Sequence, residues 1–193
     1  LGLNEKNFLG EGNQVRFNAS LSDKKNSYNI GATNPYFMDR QLSASFDLYN
    51  EETENTSGDI KSSSTGFSVG FGIKNNLWFQ QLKYDYYSSE STTSSASTAN
   101  SITGEEGVEI ITSSVTLNLS KDTRDNYINP TSGYSISFAN TLAGFGGDSS
   151  FIRSIFRSKN FYPLNYGDYT LGLKSGVGFI NSFDDKITSS NRF

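Results

Sequence analysis

The residues best suited to chemistry lie in one short stretch, 120–134, which reads SKDTRDNYINPTSGY. Asp122 and Asp125 flank Arg124 there, and two carboxylates beside a guanidinium could do acid–base work or hold a metal. The competing explanation is a tight turn. Asp and Asn side chains bond their own backbone, and Pro130 and Gly133 set turn dihedrals. The turn is the favoured reading on that chemistry, and the rest of a catalytic kit is missing as well. The chain has no His and no Cys, which removes Ser-His-Asp triads, thiolate zinc sites, iron–sulfur clusters and disulfides. Carboxylates, Lys, Tyr and Ser remain, a poor set for catalysis at neutral pH. The expectation is a protein that is not an enzyme and has no cofactor and no metal centre.

Two other groups invite a functional reading. Gly66, Gly70 and Gly72, and again Gly172, Gly176 and Gly178, are glycine-rich but fit no phosphate-binding spacing. Their period of two puts each set on one strand face, where a lumen or a close neighbour needs small residues. Gly144, Gly146 and Gly147 mark a turn. Acidic clusters at Glu51, Glu52, Glu54 and Asp59, at Glu105 and Glu106, and at Asp184 and Asp185 could bind divalent cations. Such charge more often serves solvation. The net charge of −4 disfavours a nucleic-acid partner.

The elements that must position these residues are strands. Hydrophobic residues are 34% of the chain, but aromatics are 14%, with 18 Gly and 3 Pro. That mixture suits thin two-faced strands better than a thick core. Val15, Phe17, Ala19 and Leu21 alternate with Arg16, Asn18, Ser20 and Ser22, and Phe67, Val69, Phe71 and Ile73 with Ser68, Gly70, Gly72 and Lys74. The same period recurs almost end to end, and no comparable stretch has helical spacing. About nine strands are expected, at 13–22, 27–34, 41–50, 61–74, 77–90, 108–121, 133–143, 150–162 and 168–181. Residues 1–6 read as the end of a tenth.

Short connections at 8–12, 35–40, 75–76, 122–132 and 163–167 alternate with longer, more polar ones. All three prolines fall in the short set, where a missing amide donor matters least. In the segment 88–103, 11 of 16 residues are Ser or Thr, which reads as a solvated loop. Short-long alternation is what an up-and-down antiparallel sheet gives when its two ends face different compartments.

No apolar run approaches the roughly 18 residues that a membrane helix needs. The pattern alone does not say which strand face is wet, so a soluble lipocalin-like barrel and a membrane barrel both fit. Strand length favours the membrane barrel, as do Tyr84, Tyr86, Trp78, Tyr134, Phe161 and Tyr162, read here as interfacial aromatics near strand ends. The fold class expected is all-β, a transmembrane antiparallel up-and-down barrel, partial and open, of about nine to ten strands. The apolar set should face outwards and Arg16, Asn18, Ser43, Asp47, Ser68, Thr116, Ser135 and Lys174 inwards.

Several short motifs are more specific. Residues 7–12 read NFLGEG, 33–40 read TNPYFMDR, and FYPL stands at 161–164, besides the 120–134 segment. In order and spacing they resemble the barrel domain of the BamA-like (bacterial surface antigen) family of outer-membrane assembly barrels. The resemblance runs over the whole chain and places it at roughly the second to the eleventh strand of a single larger barrel. It implies that Asn7, Phe8, Leu9, Gly10 and Gly12, then Asn34, Pro35, Tyr36, Phe37, Asp39 and Arg40, then Asp122, Arg124, Asp125, Asn126, Pro130 and Gly133 are structural residues of periplasmic turns.

A chain that begins at Leu1 is expected to be a fragment or processed product, without the family's POTRA domains, gate strands or VRGF-type loop motif. The implied location is the bacterial outer membrane. The implied role is part of a barrel that folds and inserts other barrel proteins. Partners would be outer-membrane lipids, the remaining strands of the same barrel, client outer-membrane proteins and assembly lipoproteins. The alternatives are a two-partner-secretion or translocation-assembly barrel of the same superfamily, or a passive porin.

Overall fold

A computed structural model describes residues 1–55, 60–75, 78–93, 109–164 and 169–183. Ten strands follow one another: β1 (Gly2–Phe8), β2 (Asn13–Ser22), β3 (Lys25–Asn34), β4 (Ser43–Asn55), β5 (Ile60–Asn75), β6 (Trp78–Thr93), β7 (Glu109–Asp122), β8 (Gly133–Ala143), β9 (Phe151–Leu164) and β10 (Tyr169–Ser182). Each pairs antiparallel with the next in sequence, giving one sheet in the order β1 to β10. Among the described residues β1 and β10 do not pair, so the sheet is open.

Residues directly opposite one another on neighbouring strands share a face. The ladder therefore assembles rows across the sheet. One row runs Val15, Ala32, Phe46, Val69, Tyr84, Val115, Leu142, Ile152. The next residue along each strand gives Arg16, Gly31, Asp47, Ser68, Asp85, Ser114, Ala143, Phe151. The sheet curves so that the second face is concave. Ser68, Ser114 and Thr141 are buried there, while Phe46, Phe71, Leu82 and Leu117 stand 40–52% exposed on the convex side. Water-soluble proteins arrange these the other way round.

Several strands outrun their expected bounds. β4 continues to Asn55 and β6 to Thr93, so Ser88–Thr93 of the Ser/Thr-rich segment is paired strand rather than loop. In these extensions Glu51–Thr53 pair with Ser62–Ser64 on one side and Lys25–Ser27 on the other. Backbone ladder bonds hold them without any apolar face, so no alternation marks them in the sequence. The first strand, expected to end at Lys6, runs to Phe8. Pro163, expected in a turn, is instead inside β9, opposite Thr170. It lies beyond Phe161, the last β9 residue paired with β8, so β9 is an edge there and tolerates a missing donor.

Three of the expected girdle residues are placed differently. Tyr84 and Tyr86 sit in the middle of β6, not near an end. Phe161 shares a face with Gly133 and Gly172, on the concave side. Trp78, Tyr134 and Tyr162 remain near strand ends, at the rim that also carries the connections after β1, β3, β7 and β9.

Candidate functional site

The connection between β7 and β8 is tied to itself. Thr123 N–H donates to the Tyr134 carbonyl at 2.8 Å, and Tyr134 N–H donates back to Thr123 Oγ1 at 3.2 Å. Asp125 is the hub. Its Oδ1 accepts from the amides of Asn126 (2.9 Å), Thr131 (2.9 Å) and Ser132 (3.1 Å), and its Oδ2 accepts from the Thr131 hydroxyl. Asn126 Oδ1 takes the amides of Ile128 and Asn129 at 2.8 and 3.2 Å. Arg124 closes a fork on Asp122, with Nε at 2.9 Å from Oδ1 and Nη2 at 2.5 Å from Oδ2. Its guanidinium lies over the Tyr127 ring. Both carboxylates are thus bonded within the turn.

The electrostatics agree. The Thr131 hydroxyl, then the Ser132 and Thr131 amides, hold the Asp125 carboxyl at about 2, against an ordinary 3.8. A carboxylate lowered in the folded state stabilises the turn above its unfolded pKa, and that contribution drains as pH falls through about 2. Protection of the Thr131 and Ser132 amides from hydrogen exchange should therefore weaken between pH 4 and 2, referenced to Ser113 in the ladder. In Asp125→Asn that pH dependence should vanish; if it persists, the carboxylate is not the hub.

The other two motif turns are built on the same logic. In the first, the Gly10 and Gly12 amides bond the Asn7 carbonyl and Oδ1 at 3.0 and 2.7 Å, and Leu9, Gly10 and Gly12 have positive φ. Phe8 ends β1. In the second, Asn34 Oδ1 accepts the Tyr36 amide at 2.8 Å, across Pro35. A single 3₁₀ turn, Phe37–Asp39, follows, with the Phe37 amide on the Leu42 carbonyl (2.8 Å) and the Arg40 amide on the Phe37 carbonyl (3.3 Å). Phe37 packs on Phe71 of the convex face, their centroids 6.0 Å apart. The three turns share a rim, but among the described residues no hydrogen bond or ion pair joins one to another.

The concave face is a polar basin of about 520 Å³, lined in part by Tyr49, Lys83, Asp85, Thr116, Thr141 and Arg153. Thr116 and Thr141 bond hydroxyl to hydroxyl at 2.9 Å, and Lys83 pairs with Asp85 at 2.6 Å. Arg16 on β2 reaches across β3 to Asp47 on β4, Nη2 to Oδ1 at 2.5 Å. Gly31 is the strand residue between them, and a Cβ there would stand 2.2 Å from Asp47 Oδ1. The glycine is a notch for the ion pair. Gly66 likewise makes room for Tyr87, whose Cβ would lie 2.4 Å from an added methyl. These are roles for small residues on a wall.

The acidic clusters divide. Glu51 pairs with Lys25 at 2.8 Å and Glu54 with Lys61 at 3.4 Å, so these carboxylates already have cations. Asp59, Glu105, Glu106, Asp184 and Asp185 lie outside the described residues. Sequence reasoning missed one convex cluster. Lys121 lies 5.5 Å from the Trp78 ring centroid and 5.4 Å from that of Tyr134. The three residues are far apart in the chain, and only the register of β6, β7 and β8 joins them.

Residues 7–193 match the family model of the Omp85 superfamily domain. The chain is 25% identical over 193 residues to the outer membrane protein assembly factor BamA of Neorickettsia risticii (strain Illinois), covering 98% of this chain and 26% of that protein. It is 28% identical over 199 residues to the protein of the same name from Nitratidesulfovibrio vulgaris, covering 98% of this chain and 24% of that protein. The chain thus spans about a quarter of the length of these curated relatives. Among solved structures, a crystal structure of BamA from Haemophilus ducreyi lacking POTRA domains 1–3 superposes with a TM-score of 0.83. It is 20% identical, over 97% of this chain and 39% of that one.

Proposed function

Because the chain belongs to the Omp85 superfamily, we propose that it forms part of the wall of an outer-membrane barrel that folds and inserts β-barrel proteins. The observation that carries this reading is the inside-out sheet, apolar on its convex face and polar in its basin, in a chain similar to BamA over nearly its whole length. Its location is the outer membrane, as for its BamA relatives.

In this reading the ten strands are the rigid wall of a larger single barrel. The register supports rigidity: among the described residues it is continuous from β2 to β10, with pairing along all of β5 and β6 from Ile60↔Thr93 to Asn75↔Trp78, and shifts only between Glu5 and Phe8. The tied turns hold the periplasmic rim, as the roles of Asn7, Asp122, Asp125 and Gly133 suggest. Insertion itself is assigned to a seam elsewhere in the barrel, where weakly paired strand edges template an incoming strand by β-augmentation. No residue of this wall need do covalent chemistry. Client barrel proteins and assembly lipoproteins are the proposed partners.

The test uses the complete protein that carries this segment, reconstituted in phospholipid vesicles. It should speed the folding of a small outer-membrane barrel protein, read as the fraction that acquires heat-modifiable gel mobility, about tenfold over empty vesicles. Client folding no faster than in empty vesicles would overturn the reading. Transfer of a soluble polypeptide into the vesicle lumen, with no such acceleration, would assign the barrel to export instead.

A further inference from the structure

We propose that the convex face carries a site for the headgroup of an anionic phospholipid, built on Lys121 between Trp78 and Tyr134. The proposal rests on the reading of this face as lipid-facing.

Lys121 is on the convex side, two and four residues from Leu119 and Leu117, at the last position but one of β7. It is opposite Trp78 on one side and Ile136 on the other. Its ammonium touches the faces of both Trp78 and Tyr134, at 5.5 and 5.4 Å from the ring centroids. Among the described residues no Asp or Glu forms an ion pair with it. Its neighbour Asp122 faces the concave side and is taken by Arg124. An unneutralised cation on a lipid-facing surface is costly unless it reaches the interface and finds an anion. Two aromatic faces of the kind found at headgroup level hold this one in place.

The surroundings suit a phosphoglycerol group better than acyl chain. The convex belt is interrupted beside Lys121. Ser158 lies opposite Ile136, Ser175 opposite Ser158, and Asn160 opposite Tyr134. Asn160 Nδ2 donates to Ser158 Oγ at 2.9 Å. One row further from the rim the belt resumes with Leu119, Phe138 and Phe156, a track for the acyl chains. A zwitterionic headgroup brings its own ammonium and gains less from Lys121 than a headgroup of net negative charge.

Trp78 is the only tryptophan of the sequence and reports on the site directly. The experiment measures its quenching in the vesicle-reconstituted protein by brominated phosphatidylglycerol and, separately, brominated phosphatidylcholine, with a Trp78→Phe variant as background. Phosphatidylglycerol should win at the Trp78 site by about fivefold in relative affinity, the size expected of one lysine at an interface. The preference should fall to near parity in Lys121→Gln and survive in Lys121→Arg. Equal quenching by the two lipids in the unmodified protein would overturn the site. So would a preference left intact by Lys121→Gln, or one lost equally in Lys121→Arg. No quenching by either lipid would instead overturn the lipid-facing reading on which the site depends.

Discussion

Phe46→Arg should cost about 2–4 kcal/mol of folding stability in a bilayer, the expected penalty for a charge near the middle of a lipid-facing barrel surface. Phe46 is 43% exposed on the convex face, in the row with Val69, Tyr84 and Val115. Tyr84 stands six residues along β6 from the rim residue Trp78, which puts this row well inside the belt. The matched control is Asn18→Arg. Asn18 is exposed on the concave side, next to the Arg16–Asp47 pair, where water can reach a new charge. That change should stay within about 0.5 kcal/mol. Urea titration of both variants folded into phospholipid vesicles decides the matter. If the two lose the same stability, the convex face is not in lipid. If Asn18→Arg is the worse, the facing is reversed and a lipocalin-like packing returns.

The second large effect is expected at Gly133→Ala. Gly133 has φ of +94°, and an added Cβ would lie 2.4 Å from the Thr123 carbonyl oxygen and 2.9 Å from Arg124 Cα. Both obstacles are backbone, so neither can rotate away. The conformational strain alone is about 1–3 kcal/mol. Moving the Thr123 strand end also threatens its reciprocal bonds with Tyr134, worth about 1 kcal/mol each. A total near 3 kcal/mol follows, with faster proteolysis in the turn. Gly146→Ala separates the two causes. Its φ is +106°, but nothing lies within 4 Å of the added Cβ. It should show the strain alone, about 1 kcal/mol. Equal losses at the two glycines would mean that the close approach to Thr123 contributes nothing.

The period of two in segments such as Val15–Ser22 and Phe67–Lys74 determined that these are strands and which residues share a face. It did so because successive strand side chains point to opposite sides, whatever the partner. The turn chemistry of Asp125, Asn126 and Gly133 was legible for a similar reason: its hydrogen bonds close within a few residues. Which face is convex was not legible, since alternation is symmetric between the two. Curvature of the sheet decides it, by crowding Ser68, Ser114 and Thr141 and exposing Phe46 and Leu117. The extensions of β4 and β6 were hidden because backbone pairing holds them and no side-chain pattern is needed. Pro163 looked like a turn residue because its tolerance depends on where β8 stops, a fact of register. The Arg16–Asp47 bridge over Gly31, and the meeting of Lys121 with Trp78 and Tyr134, each join three strands. A one-residue slip in either ladder would turn one partner to the other face. Only the tertiary register could place them together.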